Sequence, residues 1–280
     1  MRVYVEAVAV RGPGLDGWKP SRAVLAGLET YRAAPIIVPP SPLLPPNERR
    51  RTVQAVKLVL AIGAEAFATA ERDPARTATV FTSSSGDGQT IHEILSSLAS
   101  GDCELSPTRF HNSVHNAPAG YWSIAVRSTA PSTTLCCHDA SFAAGFLEAA
   151  VQVTTEGRPI ALVAYDQRYP EPLHSVRPLG EAFGTALILA PESSPSAFAQ
   201  VDVQLRHIVD GATRMASADL EALRLSTPAA RSLPLLAALA HGMREALTID
   251  YVSGLELALA VEPIMTSGTI ATSQEAAAPT

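Results

Sequence analysis

The chain has 280 residues, of which 47% are hydrophobic and 17% charged, enough for one large domain or two small ones. Its net charge of −6 argues against a nucleic-acid-binding protein, which would normally carry a basic face. No segment approaches the roughly 18 apolar residues that cross a bilayer, and the first residues lack the pattern of a signal peptide. We therefore expect a cytoplasmic protein without a membrane span.

The first third of the chain alternates predicted strands and helices. Residues 2–10 alternate two largely apolar sets, which is typical of a strand that is buried on both faces. Six prolines in residues 35–47 exclude a helix interior or a central strand, so this segment is expected to be an extended arm, either a covering loop or a partner contact. A helix is expected over 48–72, a strand over 77–82 and a helix over 90–98.

The loop SSSGDGQ between that strand and helix is rich in small residues. Such a loop could bind phosphate through its backbone N–H groups, but neither GxxxxGK[ST] nor GxGxxG is present. Close packing of the backbone is the better explanation of Gly86 and Gly88.

The rest of the chain continues the alternation. Residues 106–126 are expected to form a polar loop and then a helix, in which Ala119, Gly120 and Ser123 allow close approach to a neighbour. A helix is predicted over 232–247, and residues 265–280, which have no periodicity, are expected to be a disordered tail. Further strands are predicted at 159–165, 183–190, 201–207 and 254–261. This alternation, without a repeat or a linker, predicts one α/β domain with helical layers on a mixed sheet.

Residues 130–150, APSTTLCCHDASFAAGFLEAA, predict a short strand, a sharp elbow at Cys137-His138-Asp139 and a helix of small residues. A metal site is not expected, because consecutive strand residues such as Cys136 and Cys137 point to opposite faces and no CxxC or HExxH motif exists. No GxSxG marks a serine hydrolase. Cys137 is more typical of a buried small side chain than of a reactive thiol. The three cysteines predict no disulfide framework.

Two histidines, His111 and His115, lie in the polar loop with Asn116. Either histidine could act as a general base, or both could be hydrogen-bonded loop residues.

Several of these segments, in order, resemble the β-ketoacyl synthases of the thiolase superfamily, and in particular their chain-length-factor relatives. RVYVEAVAVRGPG resembles the first strand and loop of a ketosynthase, and SPTRFHNSVHNAPAGYWSIA resembles its polar loop and Ala-Gly helix. Ala130-Pro131-Ser132 resembles the Gly-Pro-Ser that opens the nucleophile strand, and GEAFGTALILAPE resembles the strand after the acyl-transfer site. Together these segments cover most of residues 1–192.

The resemblance implies a thiolase-like layered fold (α-β-α-β-α) over 1–264, with an N-terminal half at 1–192 and a reduced C-terminal half at 193–264. It places Asp139 where the family has its catalytic cysteine. A thiolate at a helix N-terminus can carry an acyl group as a thioester, whereas a carboxylate would form an unstable mixed anhydride. The two histidine motifs of the family's C-terminal half have no match. No catalytic residue is therefore expected.

Inactive relatives in this family pair with an active ketosynthase and shape its acyl tunnel. The resemblance thus implies a heterodimer with a full-length ketosynthase, reached by an acyl carrier protein through the complex, in type II fatty acid or polyketide biosynthesis of the aryl polyene type. No cofactor is expected. The predicted interface is the strand Ser132, Thr133, Thr134, Leu135 and Cys136, and the predicted tunnel residues are Ser85, Gly86, Asp87 and Gly88.

Two alternatives remain open. The chain could be a small thiolase-fold enzyme that decarboxylates or hydrolyses acyl thioesters, with Asp139 as the base and His111 or His115 assisting. It could also be a homodimeric module that binds acyl carrier proteins, although its net acidity opposes binding to these acidic partners.

Overall fold

The computed structural model describes residues 1–38, 40–101, 104–209 and 211–264. Its strands are β1 (Arg2–Gly12), β2 (Leu15–Asp16), β3 (Ala78–Thr82), β4 (Ser132–Leu135), β5 (Ile160–Asp166), β6 (Phe183–Ala190), β7 (Ala199–His207), β8 (Glu245–Asp250) and β9 (Leu255–Pro263). Its helices are α1 (Trp18–Leu25), α2 (Pro46–Arg51), α3 (Gln54–Ala70), α4 (Gly88–Ala99), α5 (Pro107–Asn112), α6 (Ala117–Val126), α7 (Ser141–Glu156), α8 (Leu173–Val176), α9 (Ala218–Ser226) and α10 (Leu233–His241). Two 3-10 turns span His138–Ala140 and Pro228–Ser232. The predicted disordered tail, 265–280, lies outside the described residues.

The described strands form one mixed sheet in the order β4-β3-β5-β6-β1-β7-β9-β8, with β2 paired to β1. β3 runs parallel to both β4 and β5, and the other pairs are antiparallel. β4 lies at one edge of this sheet and has only β3 as a strand partner within the described ranges. The carboxyl ends of β3, β4 and β5 therefore meet at one corner, where the elbow and its neighbouring loops lie.

Helices cover the sheet on both faces. α1, α7 and α10 pack on one face around buried side chains such as Phe142, Phe146 and Leu236. α3 and α6 pack on the other face, where Leu58 and Trp122 are buried. This arrangement confirms the predicted α/β class with helical layers on a mixed sheet. Residues 193–264 add β7, β8 and β9 to the same sheet, with α10 packed on β8 and β9.

Two helix predictions were wrong in their bounds. The helix expected over 48–72 divides into α2 and α3, because Thr52 and Val53 adopt extended backbone conformations between them. The helix expected over 232–247 ends at His241, where Gly242 takes the left-handed conformation (φ 65°) that commonly terminates a helix. Leu247 instead lies in β8, paired with Leu259 of β9. Helices α1, α5 and α9 and the single turn α8 were not predicted.

The close approach expected at Gly120 was also wrong. Gly120 is exposed, and a Cβ atom built on it would meet no heavy atom within 4 Å outside its own helix. The contact between α3 and α6 depends on Gly63, where a Cβ atom would overlap the Trp122 ring. Trp122 also stacks on Phe67, with ring centroids 5.3 Å apart. The large side chain, Trp122, thus belongs to α6, the helix whose small residues were expected to allow the close approach, and the glycine belongs to α3.

Candidate functional site

The elbow after β4 is a sharp turn fixed by Ser141. Its hydroxyl accepts a hydrogen bond from the Cys137 backbone N–H (3.0 Å) and donates one to the His138 carbonyl (2.7 Å). His138 has a φ of 50°, in the left-handed region that non-glycine residues rarely adopt. The chain reverses here from β4 into α7, so the elbow predicted at Cys137-His138-Asp139 is present, and Asp139 lies in the 3-10 turn that leads directly into the helix.

Gly145 lets α7 lie close to the sheet and so sets the position of the elbow. A Cβ atom on Gly145 would lie 2.8 Å from Thr82 Cβ and 3.1 Å from Leu162 Cδ1. Thr82 in turn donates from its hydroxyl to the Ser141 carbonyl (2.7 Å). The first turns of α7 are thereby held against the carboxyl end of β3.

Asp139 is held by two arginines from distant parts of the chain. Its Oδ1 accepts from Arg177 Nη2 at 3.0 Å, and its Oδ2 lies 3.4 Å from Arg231 Nη2. Arg231 also reaches Asp250 Oδ2 at 3.5 Å. Both arginine side chains are largely buried, with exposures of 20% and 17%, whereas Asp139 is 46% exposed. Each carboxylate oxygen thus faces a guanidinium, and neither can take a proton from a substrate without weakening an ion pair.

The predicted loop histidines lie elsewhere. His111 is exposed and makes an edge-on contact with Tyr121, with ring centroids 5.8 Å apart. His115 places Nε2 3.4 Å from the Ser83 carbonyl. Asn116 precedes α6 as its N-cap residue but makes no side-chain capping bond. Neither histidine makes a described hydrogen bond with Asp139, so the structure does not assemble a carboxylate–histidine pair from them.

A buried carboxylate that the sequence did not reveal organises the loop after β3. Asp166, at the end of β5, is fully buried and accepts hydrogen bonds from the Ser84 backbone N–H (2.8 Å) and hydroxyl (2.6 Å) and from the Ser83 hydroxyl (3.2 Å). It also accepts from the Ala229 backbone N–H at 2.8 Å. Ala229 belongs to the same 3-10 turn as Arg231. Asp166 therefore connects the serine loop to the turn that carries one partner of Asp139. The only sequence signal was an aspartate that ends an otherwise apolar run.

The remaining loop residues begin α4. Asp87 is its N-cap residue and accepts from Gln89 N (3.2 Å) and from the Thr90 hydroxyl (2.8 Å). The predicted close packing is confirmed at Gly88, where a Cβ atom would lie 2.7 Å from Tyr169 Cδ1, but at Gly86 such an atom would make only ordinary contacts.

The predicted interface strand and this loop lie side by side. Cys136, exposed at the end of β4, donates from Sγ to the Ser84 carbonyl (3.1 Å). Ser85, whose hydroxyl donates to the Gly86 carbonyl (3.1 Å), follows directly. Within β4, Thr133 accepts from Gln152 Nε2 of α7 at 3.0 Å. One corner of the molecule thus presents the edge strand, the serine loop and the elbow together.

The pH dependence of stability tests the role of Asp166. Burial raises its pKa from 3.8 to about 6, so the folded protein binds this proton more tightly than the unfolded chain. The contribution of Asp166 to stability is therefore greatest below pH 3.8 and falls, by about 3 kcal/mol, as the pH rises to about 6. The free energy of unfolding, measured with urea between pH 4 and 7, is expected to show this decrease in the wild type. In Asp166→Asn, which has no carboxyl group to titrate at this position, the decrease should be absent.

Asp202 provides a control, because its contribution to stability changes with pH in the opposite direction. The hydrogen bond from Arg2 lowers the pKa of Asp202, so its contribution is present at neutral pH and is lost as the pH falls. If Asp166→Asn left the pH profile unchanged, the raised pKa of Asp166 would be contradicted.

No helix in the described ranges is both long and apolar enough to cross a membrane. The same part of the chain has no group of three His, Cys, Asp or Glu residues that could hold a metal ion.

The order of strands, the elbow before α7 and the helical layers define a thiolase-like ketosynthase fold, and comparison with known proteins gives the family. The sequence profile of the β-ketoacyl synthase N-terminal domain matches residues 23–250. The chain therefore belongs to the β-ketoacyl synthase family. None of the curated proteins compared with it matches significantly.

Solved structures with the same fold include three from ketosynthase complexes. A chain of the ketosynthase (ApeO) in complex with its chain length factor (ApeC) from Xenorhabdus doucetiae has a TM-score of 0.71 at 20% identity, covering 93% of this chain and 99% of that one. A chain of the AntDE:AntF complex, a type II polyketide synthase acyl carrier protein with its ketosynthase bound to the hexaketide, has a TM-score of 0.71 at 12% identity. The match covers 94% of this chain and 99% of that one. A chain of the ishigamide ketosynthase/chain length factor has a TM-score of 0.66 at 13% identity, and the match covers 95% of this chain and 100% of that one. At these identities the likeness concerns the fold.

Proposed function

We propose that this chain is a non-catalytic, chain-length-factor-like subunit that pairs with an active ketosynthase in type II polyketide or fatty acid biosynthesis. One observation carries the proposal: in a ketosynthase-family fold, the elbow residue is an aspartate, and both of its oxygens face arginines. A carboxylate held in this way supplies no thiolate for acyl transfer. The alternative, an enzyme with Asp139 as a base, lacks a supporting contact from His111 or His115.

The proposed interface is the β4 edge from Ser132 to Cys136, with the loop Ser85–Gly88 beside the shared acyl tunnel. An uncovered edge strand invites pairing with another strand, so a partner that continues the sheet also protects it. The acyl carrier protein would reach this chain through the ketosynthase complex. The aryl polyene pathway and a cytoplasmic location are the more specific parts of the proposal.

The backbone of β4 allows the interface to be tested without disturbing the fold. Thr79 N donates to the Pro131 carbonyl and Ser83 N to the Leu135 carbonyl. Because a parallel ladder uses alternate residues, the N–H of Thr134 points away from β3 towards the free edge. Proline at this position removes that donor while leaving the ladder to β3 intact.

We expect the wild-type chain to co-purify with a cysteine-bearing ketosynthase from the same organism, and Thr134→Pro to abolish this co-purification. Thr134→Val, which keeps the N–H and the preference for strand conformation, should retain it. Thermal unfolding of the isolated variants is the check that both are folded. A wild-type chain that stays a monomer in the presence of the ketosynthase would contradict the proposed function.

A further inference from the structure

The sheet has a second edge at β8, at the opposite end of the strand order from β4. Within the described ranges, β9 is the only strand that pairs with β8. The centre of β8 is the run Leu247, Thr248 and Ile249, which contains no proline and favours strand conformation. An edge of this kind normally templates the addition of another strand. The contacts along β8 therefore decide how many edges of this sheet can accept a partner.

The backbone groups that β8 presents to this edge follow from the pairing with β9. Alternate residues of an antiparallel strand direct both the N–H and the C=O to the same neighbour. Both backbone groups of Thr248 are bonded on the side away from β9, so Ala246 and Asp250 also face the edge by this alternation. Thr248 is the middle one of the three, and a strand that added to β8 would need its N–H and C=O groups.

A short segment, Gly211–Thr213, already occupies these groups, and we call it the strap. Thr213 N donates to the Thr248 carbonyl at 2.9 Å, and Thr213 Oγ1 accepts from Thr248 N at 2.9 Å. The Thr248 hydroxyl donates to the Gly211 carbonyl. Thr248 is consequently only 9% exposed, although it lies in an edge strand.

The strap wraps around the edge from one face of the sheet to the other. It follows β7, which β9 separates from β8. Gly211 and Ala212 line a cavity of about 740 Å³ over the face that carries Ala258. Beyond the strap, Met215 packs against the core on the opposite face, and its N–H donates to Glu221 of α9 at 2.9 Å. The strap is thus anchored on both sides of the β8 edge.

The strap closes the edge without creating a new one. Only Thr213 bonds the backbone of β8, and the chain then continues to α9, which begins at Ala218. A full added strand would instead present its own outer row of N–H and C=O groups. At the β4 edge, by contrast, no hydrogen bond among the described residues covers the outward N–H of Thr134.

We propose that the strap is an autoinhibitory cover that prevents β8 from pairing with β8 of a second copy of this chain, and that it confines strand pairing to β4. Antiparallel pairing about Thr248 is symmetric, so a second copy offers the complementary edge, with Thr248 opposite Thr248 and Ala246 opposite Asp250. A chain with two open edges could add a partner at each and form open assemblies. The proposal concerns the isolated chain and does not depend on the proposed function.

Thr213→Pro tests the proposal. Proline removes both the N–H that bonds the Thr248 carbonyl and the hydroxyl that accepts from Thr248 N. All variants also carry Thr134→Pro, which excludes pairing through β4. In analytical ultracentrifugation we expect the Thr134→Pro chain to remain a monomer, and the sedimenting mass to double with rising concentration when Thr213→Pro is added. The matched control is Thr213→Ser, which keeps both bonding groups and should stay monomeric.

Two further variants make the result decisive. Thr213→Val keeps the N–H but leaves Thr248 N without its acceptor, so it should dimerise more weakly, and it replaces the proline variant if thermal unfolding shows that one to be unfolded. Ala246→Pro removes a donor that faces the β8 edge while leaving the ladder to β9 intact. Added to the strap variant, Ala246→Pro should restore the monomer.

Two outcomes would overturn the proposal. Folded strap variants that stay monomeric at every concentration would show that the strap does not guard this edge. A dimer that persists with Ala246→Pro would form through another surface. Neither outcome affects the proposed function, which depends on β4 and is tested with the ketosynthase.

Discussion

Replacing Asp139 with alanine is expected to lower the free energy of unfolding by about 2 kcal/mol, measured by chemical denaturation. The substitution leaves the largely buried guanidinium of Arg177 without its carboxylate partner, and Arg231 retains only the longer contact to Asp250. In complex with the ketosynthase, however, the rate of chain extension should remain that of the wild type, because Asp139 has a structural role in the proposed function. A change in product length is compatible with this role, since the elbow lies beside the proposed tunnel.

Two control variants sharpen the Asp139 experiment. Asp139→Asn keeps an oxygen that can accept from one arginine, so its loss of stability should be smaller than that of the alanine variant. Asp202→Ala removes an exposed pair with Arg2 and should cost less again. If Asp139→Ala left a folded complex without turnover, Asp139 would be a catalytic base, and the alternative enzymatic function would replace the proposed one.

Gly145→Val is expected to destabilise the chain by about 3 kcal/mol or more, enough to prevent folding of a marginally stable domain. The added side chain would overlap Thr82 in β3 and Leu162 in β5, and a buried helix pressed on a close-packed sheet has no room to move away. Circular dichroism and the yield of soluble protein measure the effect.

Gly120→Ala is the matched helical control for Gly145→Val. Gly120 has open space around it in α6, so alanine should raise stability by about 1 kcal/mol through its higher helix propensity. A folded Gly145→Val protein of normal stability would mean that α7 can shift on the sheet, and the placement of the elbow would then need another explanation.

Much of the fold could be predicted from local patterns. The buried run of β1, the strands β3, β5 and β6 and the strand–elbow–helix around Asp139 follow from alternation, apolar runs and small residues, which act over a few residues at a time. The errors fall where local patterns are ambiguous: apolar residues at 243 and 247 continue a helical spacing, but Gly242 ends α10 and β9 supplies a strand partner for β8. Propensity is a weak prior, and tertiary pairing overrides it.

The site was predicted only in part. Asp139 could be singled out because the sequence resemblance places it at the elbow position where the family has a nucleophile. Its partners Arg177 and Arg231 could not, because each arginine lies in or next to a short single turn of helix that local patterns did not predict, and nothing local marks it for an ion pair. Asp166 was missed for a related reason: an aspartate after a strand usually begins a loop, and only the fold shows it fully buried.

The sequence alone determined the class of fold and the elbow, since both depend on the identity and spacing of neighbouring residues, and through the family resemblance it predicted the loss of the nucleophile. The tertiary structure decided what surrounds Asp139 and that β4 lies at an edge of the sheet. These features depend on which segments the sheet brings together. Contacts between distant residues are set by the packing of whole elements, and no short stretch of sequence specifies them.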